Sequence, residues 1–125
     1  MQIAALASIN STDAPSLVPD ERPIDLVHLA RMTLGERSLE REVLALFDRQ
    51  ATLLIARMRA AQPAAVVTLA HTLKGSARGI GAWRVARAAE AVEVAGPAEA
   101  GAALDALAAA ADEARGVIAD LLRAN

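Results

Sequence analysis

The chain has 125 residues and no composition break past the first two dozen, which leaves room for one domain with one core and none for a second catalytic domain. Hydrophobic residues make up 54% of the chain but aromatic residues only 2%, a single Trp83 and a single Phe47, so Ala, Leu, Val and Ile must fill the core, a palette that suits closely packed helices. The net charge of −2 recommends no nucleic-acid or anionic-membrane partner, and the lack of cysteine removes disulfides, thiolate catalysis and thiolate metal sites.

The apolar opening from Met1 to Ile9 has no basic residue ahead of it and makes a poor secretory signal. Nothing later approaches the roughly 18 uninterrupted apolar residues of a bilayer span, so the expected location is cytoplasmic. Residues 1–22 hold Asn10, Ser11, Thr12, Asp13, Pro15, Ser16, Pro19 and Asp20, which favour turns and solvent. They are expected to form a loose arm ahead of one helical domain over residues 23–125.

Asp25 is placed to cap the first helix, with Ile24 before it able to staple onto Leu29. That helix is expected to run to about Leu34 and stop at Gly35. Ser38 opens the second, in which Leu39, Val43, Leu46, Phe47, Leu53, Leu54 and Met58 recur at steps of three and four until Pro63 ends the helix near Gln62. A third helix is expected from about Ala64 to Ala77 or Arg78, with Pro63 as its first residue and the Gly79-Ile80-Gly81 stretch as its close. The fourth is expected over about Ala82–Ala95, up to Gly96-Pro97. The last, from about Ala98 to Arg123, carries Leu104, Leu107, Ala111, Ala114, Ile118 and Leu121 on one stripe. No stretch alternates with a period of two. The expected fold is all-α: an antiparallel up-and-down four-helix bundle with a short additional N-terminal helix.

Chemistry concentrates in the third helix. At about 100° per residue, with His71 at zero, Lys74 falls at roughly −60°, Gly75 at roughly +40°, Arg78 at roughly −20° and Val67 at roughly −40°. Val66, Leu69, Leu73 and Ala77 fall between roughly 160° and 240° and must face the core, so His71 points away from it. Lys74 and Arg78 are cations within reach of a phosphoryl group carried by that imidazole. Gly75 costs about 1 kcal/mol relative to Ala in a helix, an expense that makes sense if space beside His71 is needed for a partner. A neutral imidazole is nucleophilic near neutral pH and needs no adjacent base to attack phosphorus.

His71-Thr72-Leu73-Lys74-Gly75-Ser76-Ala77, followed by Gly81-Ala82, resembles the signature of histidine-containing phosphotransfer (HPt) domains. The likeness extends from Ile24-Asp25 through the fourth helix. The resemblance implies that His71 is the phosphorylated residue, that Lys74 lies near the phosphate, and that Gly75 permits close docking. It also implies that Glu93, where the family often carries Gln or Glu, hydrogen-bonds the imidazole nitrogen that is not phosphorylated. Gly79 departs from the Asn found in many members. The implied partners are the receiver domains of a hybrid histidine kinase and of a response regulator. They would dock over Val67, His71, Lys74, Gly75 and Arg78 and bring their own Mg²⁺, this chain binding no cofactor or metal. Lacking an ATP-binding segment, it is not expected to phosphorylate itself.

His28 has no such context and is expected to be structural or solvent-facing. Lys74-Gly75-Ser76 reverses the order of a P-loop and implies no nucleotide site. The rival reading is a helix-turn-helix or structural helical module, with Trp83, Arg84 and Arg87 on a DNA-reading helix. Against it stand Glu90 and Glu93 on that helix, the lack of a basic excess, and its silence about His71 and Gly75.

Overall fold

The computed structural model describes residues 22–124, so the expected arm lies almost wholly outside the described residues. Within them are five helices and no strand: α1 (Leu26–Met32), α2 (Arg37–Ala60), α3 (Pro63–Ile80), α4 (Trp83–Val94) and α5 (Ala100–Arg123). Around the core α2 packs on α3, α3 on α4, α4 on α5 and α5 back on α2, while α1 packs against α3. The stripes expected on α3 and α5 face the core, but that of α2 is corrected: Phe47, Leu54 and Met58 are buried together with Leu44 and Ala51, whereas Leu39, Leu46 and Leu53 are exposed, because they lie roughly 100° around the helix from the core direction. Leu44, Phe47, Ala51, Leu54 and Met58 of α2 meet Ala70, Leu73, Ala77 and Ile80 of α3, Val85, Ala86, Ala89 and Val92 of α4, and Leu107, Ala111, Ala114 and Ile118 of α5. Seven of these seventeen residues are alanines, so helices approach closely where few bulky side chains intervene. No helix among the described residues is long and apolar enough to cross a membrane.

Asp25 caps α1 as its position suggests, its Oδ1 accepting from the His28 backbone N–H at 3.0 Å. Ile24 and Leu29 are both buried in the same cluster. The helix nevertheless stops at Met32, two residues short of the expected end. Thr33 turns its hydroxyl back onto the Leu29 carbonyl, and both Leu34 (φ 55°) and Gly35 (φ 76°) take the left-handed conformation. The Gly35 N–H then closes on Ala30 O at 2.9 Å, in the pattern of a Schellman end.

Helix α3 corrects a boundary. Gly79 does not close it; the helix runs on through Ile80 and ends at Gly81, which takes φ +83°. Burial decides this, because Ile80 is a core residue and the two or three further helical residues are what place it there. Gly81 then satisfies two conditions at once. Its N–H and that of Ala82 return to Arg78 O and Ala77 O, and its own carbonyl accepts from Asp25 N at 2.9 Å. A Cβ at Gly81 would stand 2.9 Å from Asp25 O. The start of α4 seals the same corner: Trp83 Nε1 donates to Asp25 Oδ2 at 2.9 Å, holding that carboxyl below the ordinary carboxylate range against the opposing cost of burial. The remaining helix ends fall within two residues of their expected places, the usual scatter where caps fray.

Candidate functional site

The middle of α3 turns His71 outward with its side chain 70% exposed. Leu73 and Ala77 lie on the opposite face in the core, with Val66 and Leu69 packed partly against it, as the 3.6-residue period requires. Gly75 and Gly79 follow His71 at one-turn intervals, and a Cβ at either would meet nothing within 4 Å. The fold itself therefore does not require these glycines. Both keep the surface low on the side of α3 that carries the imidazole, at a helix cost of about 1 kcal/mol each. Val67, one turn before His71, is exposed as well.

The fourth helix supplies what the third lacks. Glu93 approaches from α4 and bridges two α3 side chains, with Oε2 2.7 Å from His71 Nδ1 and Oε1 2.6 Å from Lys74 Nζ. Its side chain is only 14% exposed and that of Lys74 only 13%, so this ion pair forms a semi-buried floor beneath an exposed ring. The Lys74 contact first, and the His71 contact after it, hold the Glu93 carboxyl below the ordinary carboxylate range against the opposing effect of burial. An ionised Glu93 can only accept, so His71 Nδ1 carries a proton, and in the neutral ring that places the free lone pair on Nε2. The tautomer follows from the partner.

Arg78, one turn past Lys74, is half exposed and pairs loosely with Glu90 of α4, Nη2 to Oε1 at 3.8 Å. Such a pair is worth little at a wet surface and is easily exchanged for a better anion. The sequence-selected residues His71, Lys74 and Glu93 are thus in direct contact, with Arg78, Gly75 and Val67 on the surrounding surface. Ser76 is half-buried and makes no hydrogen bond through its hydroxyl that enters this cluster. His28 stands elsewhere, packed edge-on to Trp83 with ring centroids 4.8 Å apart. It is structural.

The sequence places Lys74 near a phosphate but carries no sign that Glu93 holds its ammonium. Nor does it reveal Glu90 as the partner of Arg78. Both contacts cross from α3 to α4, and spacing along one helix carries no information about register against the next. The only available signal was the set of two acids on α4 facing a helix with two bases. Among the described residues no group of three or more metal-binding side chains occurs.

A comparison with family models matches residues 37–122 to one described as the Hpt domain. Neither the curated proteins nor the solved structures give a match.

Proposed function

The chain belongs to the Hpt domain family, which gives it a phosphotransfer role in two-component signalling, and from that premise we propose that His71 is the phosphoacceptor of a multistep relay. The helices are read as an antiparallel up-and-down bundle. On α2 and α5, Arg41 with Leu122, Asp48 with Arg115, and Arg59 with Asp105 descend one helix while climbing the other.

In the proposed step, the Nε2 lone pair of His71 attacks phosphorus of a receiver's aspartyl phosphate. The N–P bond forms as the P–O bond to the aspartate breaks, and the carboxylate departs with the electron pair. No proton has to leave the ring, because Nδ1 keeps its own and the phosphorylated ring becomes cationic. Glu93 stabilises that cation across 2.7 Å. Lys74 and Arg78 are the groups on this face able to meet the phosphoryl oxygens. Reversal passes the group to a second receiver. The partners are receiver domains of a hybrid histidine kinase and a response regulator, with Mg²⁺ held in the receiver.

The observation that carries this reading is an exposed imidazole whose inner nitrogen is tied to a semi-buried carboxylate. Incubation with a phosphorylated receiver domain tests it. The protein is expected to gain an acid-labile, base-stable phosphoryl group that disappears in His71→Gln while the helical content stays unchanged. Label that persists in His71→Gln refutes the assignment.

A further inference from the structure

Helix α2 carries a second organised surface. Leu39, Leu46 and Leu53 repeat every seven residues and are 37%, 57% and 50% exposed. A seven-residue repeat drifts only about 20° per step on a straight helix, so the three leucines make one apolar stripe. The stripe lies on the opposite side of α2 from Arg41, Asp48 and Arg59, which are committed to α5. It belongs neither to the bundle core nor to the His71 cluster.

The charges around it have a definite order. Glu42 and Arg49, themselves seven apart, run along one edge, and Glu36 and Arg57 mark the two ends. All four are exposed, and among the described residues none of them forms an ion pair. Of these four, the acids lie toward the N-terminal end of α2 and the arginines toward its C-terminal end, while Arg37 and Arg41 lie on the opposite side of the helix. This pattern complements itself only when reversed. A parallel copy would put Glu42 and its mate on opposite sides of the seam, each beside Val43 and Gln50 and away from any arginine of this set. A copy turned by a two-fold axis near Leu46 sets Leu39 opposite Leu53, Leu46 near its own mate, Glu42 beside Arg49 and Glu36 beside Arg57, each twice.

We infer that this face is a homodimer interface, with α2 of one protomer packed antiparallel on α2 of its partner. Half-exposed leucines supply the apolar seam, and the reversed charges select the orientation. The antiparallel arrangement also sets the helix dipoles in opposition. One helix face makes an interface at the small end of the range, so the dimer is weak and exchanges readily. The inference does not depend on the phosphotransfer reading, because it concerns assembly and not chemistry.

Sedimentation equilibrium of the full chain at low salt, from about 5 µM to about 500 µM, reads the association directly. The mass is expected to rise from one chain to two across that range. Leu46→Glu is expected to weaken association about a hundredfold, and Glu42→Arg alone about tenfold, since it makes two like-charge contacts across the axis. The double exchange Glu42→Arg with Arg49→Glu restores both pairs in reversed order and is expected to recover the dimer. That recovery is not expected for any surface that merely dislikes mutation. Circular dichroism reports folding, and the charge variants alter only exposed positions. A single-chain mass at the highest concentration overturns the inference. So does association unchanged by Leu46→Glu, or a double exchange no better than the single. A monomer in which Leu46→Glu instead abolishes phosphoryl uptake from a receiver also overturns it, and assigns the stripe to that partner.

Discussion

The two histidines of this protein lie at the middle of α3 and in α1, and their surroundings differ in every respect that matters. His28 is half-buried against the Trp83 ring, in a corner where the Asp25 and Gly81 backbones and the Trp83 indole hold two chain segments together. His71 is 70% exposed, yet its inner nitrogen is anchored by a carboxylate that is itself held by a semi-buried lysine. One imidazole is used as a packing surface and the other as a presented reagent. What distinguishes them is the neighbouring helix, which gives His71 an ionised acceptor and an open outer side.

The largest effect that sharpens this contrast belongs to the structural corner. Gly81→Ala places a Cβ 2.9 Å from the Asp25 carbonyl and forces a left-handed φ on alanine, so a stability loss of about 2–3 kcal/mol is expected in urea titration. A loss below about 0.5 kcal/mol would show that the corner relaxes freely.

Glu93→Gln reaches the reagent side. The amide keeps a hydrogen bond to Nδ1 but cannot neutralise the phosphorylated ring, and the loss of one charge-assisted contact is expected to slow phosphoryl uptake about tenfold. A rate equal to that of the unaltered protein in rapid-quench measurements would remove Glu93 from the chemistry. The same variant carries a pH signature. The folded Glu93 carboxyl titrates below its ordinary value of 4.5, so its contribution to stability is complete above that value and is lost as pH falls through the lowered folded one. Glu93→Gln should therefore show a shallower loss of stability on acidification over that window, and identical acid-unfolding profiles would contradict the Lys74 pairing.

The smallest effect has the opposite sign in stability. A Cβ at Gly75 meets nothing within 4 Å, so Gly75→Ala is expected to stabilise the fold by up to about 1 kcal/mol. Uptake from a receiver should fall severalfold, because the added methyl stands where the partner must come close. A variant that is both more stable and equally fast would show that the glycine keeps no space for docking.

Much of this was legible in the sequence because it is local. The periodicity of α3 and α5 marked their core-facing residues, while on α2 it marked Phe47, Leu54 and Met58 but also the exposed Leu39, Leu46 and Leu53; the Asp25 cap followed from its place ahead of an apolar run. The outward direction of His71 followed from its angle to Leu73 and Ala77. The end of α3 was misread because Gly79 is a poor helix former by propensity, whereas the gain from burying Ile80 outweighs that penalty and only the packed core reveals it. The role of Glu93 as a bridge was half legible: its contact with the imidazole came with the family resemblance, but its hold on Lys74 depends on how far α4 is shifted along α3.

The sequence by itself therefore determined which residues lie on which face of each helix, since the backbone repeat is set by covalent geometry and short-range hydrogen bonds. It also determined the family, because the motif that carries it lies within a dozen consecutive residues. The tertiary structure alone decided which faces meet and at what level. That is how a lysine expected to wait for phosphate came to be paired with Glu93, and how three leucines expected on the buried stripe of α2 were left outside the core, on a surface that no other helix among the described residues covers.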